Sequence, residues 1–198
     1  MSILAPMADP TGGDRRSQRE RMLAGDPYDA TDAEIQKESR RAIALTERYN
    51  RTSAGDLEER ARILRELFGS VAEGVEIRAP FHCDLGYQIH IGARTFVNFN
   101  LVALDVARIT IGQDVQIGPN VQLVTATHPV DPEPRRAKIE GCKPIAIGNN
   151  VWLGAGVIVC PGVSIGENTV IGAGAVVVRD QPANVVAVGN PARIVRRL

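Results

Sequence analysis

The feature that most constrains this chain is a period of six. From Ile147 an aliphatic residue returns at every sixth position, as Leu153, Val159, Ile165, Ile171 and Val177. The same spacing joins Ile111, Ile117 and Leu123, and a fainter run begins at Ile91 and Val97. Glycine follows most of these anchors, and a second aliphatic often stands four residues on, as Val115, Val121, Val151, Val157 and Val163 do. Such a period suits neither the 3.6-residue turn of a helix nor the two-residue alternation of hairpins. It suits a short strand plus a turn, with one inward side chain per repeat and three such sides closing one coil of a parallel β-solenoid. Stacked coils share a narrow aliphatic core, which accounts for an aromatic content of only 4%. The period leaves the hand of the coil open.

Before the repeat the texture is helical. "RRSQRERMLAG" ends at Gly25, a residue suited to the left-handed position past a helix C-terminus. Thr31, with Glu34 three residues later, predicts a capping box that opens a helix to about Tyr49. A third helix is expected from the stripe Leu57, Ala61, Leu64 and Phe68, stopped by Gly69. The chain therefore divides into a flexible tail over 1–13, a helical segment over 14–70 and a β-helix over 71–198. Within the last, a loop spans 129–143 and a basic tail spans 181–198.

Charge excludes some partners. Lys and Arg number 23 and so do Asp and Glu, so no global field draws the chain to nucleic acid or an anionic membrane. Cys83, Cys142 and Cys160 are odd in number and form no CxxC pattern, which argues against a disulfide framework or zinc knuckle and for a reducing cytoplasm. The N-terminus has no secretory pattern, and no run of about 18 apolar residues predicts a membrane span.

One stretch, "TATHPVDPEPRRAKIEGCKP", breaks the repeat just after His128. Pro129, Pro132 and Pro134 suit a detour from the coil, since proline cannot donate to a ladder. His82 and His90 read as surface or packing residues, whereas His128 ends a strand beside the detour. A neutral imidazole there has the basicity to take a proton from a hydroxyl.

The segments "RMLAGDPYD", "RYN", "FHCDLGYQIHIG", "FVNFN", "LDVA", "TATHPVDP", "IGNNVWLGAGVIVCPGVSIG" and "VGNPARIV" carry a resemblance that runs nearly end to end. The chain resembles the maltose and galactoside O-acetyltransferases and their nodulation relatives that acetylate chitin-type oligosaccharides. That resemblance implies a left-handed parallel β-helix, a homotrimer, and an active site between subunits walled by the loop after the Thr-His-Pro turn. It implies acetyl-CoA as co-substrate, a sugar acceptor and no metal. His128 matches the family's catalytic base. Asn98 matches its oxyanion-stabilising asparagine, which also touches the acceptor, while Asp84, Asp105 and Tyr28 fall at acceptor-binding positions. The galactoside pattern has aspartate where this chain has Val106 and Ala30, with Asp29 and Asp32 nearby, so glucoside, maltose, galactoside and chitooligosaccharide acceptors all stay open. For the cofactor, the resemblance points to Trp152, Ala155, Ala173, Val178 and Arg179. The acid-free stretch after Asp180, with Arg193, Arg196 and Arg197, offers charge for its phosphates.

Four other readings stand beside this one. Carbonic anhydrases on this solenoid need a pair of zinc-binding histidines five residues apart, which His82, His90 and His128 do not supply. An acyl-cysteine route would need Cys160 or Cys142, neither with a histidine close in sequence. A non-sugar acceptor or a non-catalytic scaffold are the remaining alternatives.

Overall fold

The computed structural model describes residues 14–198, so the expected tail over 1–13 lies outside the described residues. Helix α1 (Gln18–Ala24) opens on a capping box that the sequence reading did not mark: Glu20 N–H donates to the Ser17 hydroxyl, and the Glu20 carboxylate accepts from Ser17 N–H. It ends at Gly25 with φ 80°, as expected. Helix α2 (Ala33–Asn50) starts one residue later than the Thr31 box predicts. Asp32 is the cap, accepting from the N–H groups of Glu34 and Ile35. Thr31 instead donates its hydroxyl to Asp29 at 2.7 Å. A carboxylate opposes the positive helix end better than a hydroxyl does, and Asp32 stands directly before the first turn.

Helix α3 (Leu57–Leu67) buries Ile63, Leu64 and Leu67, followed by Phe68 just past its end. The predicted stripe is therefore shifted: Leu57 is 72% exposed. Phe68 and Tyr49 each set a ring edge-on to Phe81, and the Tyr49 hydroxyl donates to the Ile77 carbonyl at 2.6 Å. These contacts fasten the helices across the first coil.

The rest is a parallel β-solenoid of about six turns. Its first side stacks β2 (Ser70–Val71), β5 (Ile89–Ile91), β8 (Ile109–Ile111), β13 (Ile145–Ile147) and β16 (Ser164–Ile165). The second stacks β3 (Glu76–Ile77), β6 (Phe96–Val97), β9 (Gln116–Ile117), β14 (Trp152–Leu153), β17 (Val170–Ile171) and β19 (Val185–Val188). The third stacks β4 (Phe81–Cys83), β7 (Leu101–Leu104), β10 (Gln122–Val124), β15 (Ile158–Val159) and β18 (Val176–Val177). Successive anchors Ile147, Leu153 and Val159 take one side each and pair with Ile165, Ile171 and Val177 of the next coil. Every anchor of the period is buried, and so are the valines four residues on.

Two segments are more ordered than their expected forms. The loop over 129–143 carries a short helix α4 (Pro132–Arg136) and a strand β12 (Ile139–Cys142), which pairs antiparallel with β11 (Ala126–Thr127) on one edge and with β1 (Tyr28–Asp29) on the other. The basic tail over 181–198 supplies β19 to the second side, and β20 (Arg193–Arg197) folds back antiparallel on it. Because Leu153 is fully buried at mid-stack, Leu153→Ala should cost about 2–5 kcal/mol. Chemical denaturation would read this as a lower midpoint at unchanged slope.

Candidate active site

Departures from the six-residue rhythm all fall on one corner, where the third side turns into the first. The step is eight from Cys83 to Ile91, eight from Ala103 to Ile111 and 24 from Leu123 to Ile147, then six again from Val159 to Ile165. Cys83 pairs with Ala103, Ala103 with Leu123, and Leu123 with Val159, so the extra residues of successive coils lie above one another. Asp84, Asp105 and the 129–143 excursion thereby become neighbours.

Asp105 is fully buried, and its carboxylate accepts from the N–H groups of Asp84 (3.1 Å), Leu85 (2.8 Å) and Gln88 (3.2 Å). Burial pushes this carboxyl up, and the backbone donors pull it back. These bonds hold the turn that presents Asp84, and they are the partners of a residue that the family resemblance set at an acceptor-binding position. Asp84 itself is pushed up to about 6 by burial, then by the charges of Asp105 and Glu140. Tyr28 is also buried, and its hydroxyl donates to Glu140 Oε2 at 2.9 Å. The other carboxylate oxygen of Glu140 stands 3.9 Å from His128 Nδ1.

His128 is 59% exposed and borders a hollow of about 120 Å³, lined also by Pro27, Thr127, Cys142 and Lys143. The acids near Ala30 are engaged locally, Asp29 by Thr31 and Asp32 as the cap of α2, while Ala30 N–H donates to the Lys138 carbonyl at 3.1 Å. Sequence reading missed Glu140. Only the pairing of β12 with both β1 and β11 brings it to the site.

A second corner, between the second and third sides, carries Asn98. The register Val97, Ile117, Leu153, Ile171 puts Asn98 in line with Gly154 and Gly172, each followed by an exposed alanine, Ala155 or Ala173. A Cβ on Gly154 would sit 2.6 Å from the Ala173 nitrogen, so only glycine allows the coils to approach this closely. Asn98 Oδ1 accepts from Phe99 N–H at 2.8 Å, which leaves the amide NH2 as the end free to donate. Trp152 lies on the adjoining side, 55% exposed.

The third side separates the two corners within one chain. Asn98 precedes β7, whereas β10 runs beside β7 to pair Val124 with Leu104, and His128 follows four residues later. At roughly 3.3 Å per residue, the strand alone spans more than about 10 Å. Val178 and Arg179 follow Val177 onto the His128 corner, and Arg193 and Arg196 lie exposed on β20. Among the described residues no group of three or more His, Cys, Asp or Glu is placed to hold a metal ion.

A parallel solenoid built of hexapeptide coils places the chain among the hexapeptide-repeat transferases. Residues 21–72 match the family model described as the maltose acetyltransferase hexapeptide capping motif, and residues 144–179 match that of the bacterial transferase hexapeptide. Nodulation protein L of Rhizobium meliloti is 51% identical over 179 residues, covering 90% of this chain and 98% of the relative. The crystal structure of a maltose O-acetyltransferase from Clostridium difficile superposes with a TM-score of 0.91 at 45% identity, over 93% of this chain and 99% of that one. A galactoside acetyltransferase in complex with coenzyme A gives 0.88 at 38% identity, over 92% and 91%. The chain belongs to the maltose and galactoside O-acetyltransferase family.

The Asp84 carboxyl makes stability depend on pH. The native group holds its proton up to about 6, whereas the unfolded one releases it near 3.8, so the native state loses stability as pH rises through that window. Asp84→Asn should therefore melt higher than the wild type at pH 8, and thermal unfolding at pH 3, below both values, should find the difference gone.

Proposed function

We propose that this protein transfers an acetyl group from acetyl-CoA to a sugar hydroxyl, in a ternary complex built between neighbouring copies of a homotrimer. The observation that carries this reading is the separation of Asn98 and His128 on two corners of one side, so that a single chain holds two half-sites. Closed threefold symmetry sets the His128 corner of one copy against the Asn98 corner of the next.

His128 takes the proton of the acceptor hydroxyl as that oxygen attacks the thioester carbonyl. Asn98 donates its NH2 to the oxyanion that forms. Collapse expels the thiolate of CoA, and the proton on His128 passes to it, so no acyl-enzyme is needed. Asp84 supplies a polar contact to the acceptor, held in place by Asp105. Along the Asn98 corner, exposed Trp152 and the small residues Ala155 and Ala173 leave a groove for pantetheine. Val178 and Arg179, on the His128 corner of the neighbouring copy, face the far end of that groove, and Arg193 and Arg196, exposed on β20, offer charge to the phosphate groups.

The thiols are poorly suited to a covalent route. Burial pushes Cys83 up to about 12, Cys142 to about 11 and Cys160 upward, which keeps each protonated and weakly nucleophilic. Three free thiols fit a reducing cytoplasm, and no helix among the described residues is long and apolar enough to cross a membrane.

Release of free CoA from acetyl-CoA, with and without a panel of glucosides, galactosides, maltose and chitooligosaccharides, tests the activity. His128→Ala should lower kcat by roughly 10²–10⁴-fold, and Asn98→Ala by about 10²–10³-fold. Co-expression of the two inactive variants is the sharper measurement. In each mixed trimer one interface should pair an intact His128 with an intact Asn98, which is about a quarter of all interfaces when the two variants assemble at random, and activity should recover to match. No recovery would mean that both residues serve a site within one chain.

A further inference from the structure

Glu140 joins two parts of the chain that the proposed mechanism has so far left unconnected. The pairs Ala126 with Cys142 and Thr127 with Gly141 run on to set His128 opposite Glu140, and on the far edge of β12 Glu140 pairs with Tyr28. Residues directly opposite in antiparallel strands project from the same face of the sheet. Tyr28, Glu140 and His128 thus form one transverse row. One end of the row is fixed, because the buried Tyr28 hydroxyl donates to Glu140 Oε2 at 2.9 Å. The other end faces the imidazole, with Oε1 at 3.9 Å from Nδ1.

We infer that Glu140 is a positioning residue for His128, and that Tyr28 is the fixed post that aims it. This rests on the reading of His128 as the base. A carboxylate opposite Nδ1 keeps the proton on that nitrogen and turns Nε2, as acceptor, toward the acceptor hydroxyl. It also stabilises the imidazolium that exists between proton uptake and proton return. The 3.9 Å gap exceeds a hydrogen bond, and a shift of about 1 Å by the exposed imidazole closes it, in keeping with catalytic contacts that tighten when substrates bind. The other titratable groups facing the row are Asp84 from the turn after β4, Cys142 on β12, and Lys143, which lines the same hollow as His128.

The test is steady-state kinetics on the intact enzyme. Glu140→Gln keeps the shape and an oxygen for Tyr28 but removes the charge. It should lower kcat by about 10-fold or more, leave the KM for acetyl-CoA within twofold, and move the acid limb of the kcat/KM profile to lower pH. The double variant with His128→Ala should be no slower than His128→Ala alone. Wild-type kcat with an unmoved acid limb, or losses that multiply in the double variant, would overturn the positioning role while leaving His128 as base. A fully active His128→Ala would remove the base and this role with it. Should Glu140→Gln fail to assemble, Tyr28→Phe reads the row from its other end. A fall in kcat of about threefold or more at unchanged KM supports the inference, and wild-type kcat overturns it.

Discussion

Everything in this molecule depends on coils lying in register. Each inward aliphatic sits over its counterpart in the coil below, and the backbone of each side hydrogen-bonds to the same side of its neighbours. A shift of one residue along any strand would turn the anchors out to water and the polar residues in. With that alternative so costly, extra residues cannot be absorbed within a side and are forced to the corners. Register therefore does more than stabilise the stack. It converts insertions distant in sequence, at 84–88, 105–108 and 125–144, into a single vertical cluster.

That cluster concentrates negative charge at low exposure. Asp105 tolerates burial because the turn supplies three N–H donors, so its carboxylate acts as a fixed acceptor around which Asp84 is presented. Asp84 has fewer such partners and yields by holding its proton more tightly. Glu140 is divided between a phenol and an imidazole. Three carboxyl groups thus differ in behaviour because their surroundings differ, and the difference arises from how many backbone donors each loop can aim.

The solenoid was legible because its period is set by the core itself: one aliphatic per side, visible in sequence at Ile147 through Val177. The three N-terminal helices were legible in number but less so in phase, and the short α4 of the excursion was not legible at all. Leu57 fits the spacing of the α3 stripe, yet only packing on the first coil decides that Ile63 and Leu67 face inward. Thr31 and Asp32 are both good caps, and the choice rests on where the chain leaves β1. For the site, His128 and Asn98 stand out by residue type and by family resemblance. Glu140 has no local pattern, since its role comes from pairing with strands more than a hundred residues away and just before it. The eight-residue steps at Cys83 and Ala103 were nevertheless readable, and they mark the very corner to which the long excursion belongs.

A stack of parallel strands exposes unsatisfied backbone at both ends, and identical stacks could in principle prolong one another without limit. Here the first coil is covered by the aromatic contacts of α2 and α3, and the second side is closed by β20, an edge strand on which three of five residues are arginine. Strongly like-charged edges repel one another. Growth along the solenoid axis is thereby discouraged, and the flanks are left as the surfaces on which copies can meet. The polypeptide thus avoids becoming a fibre by the same architecture that keeps its lateral faces open for assembly.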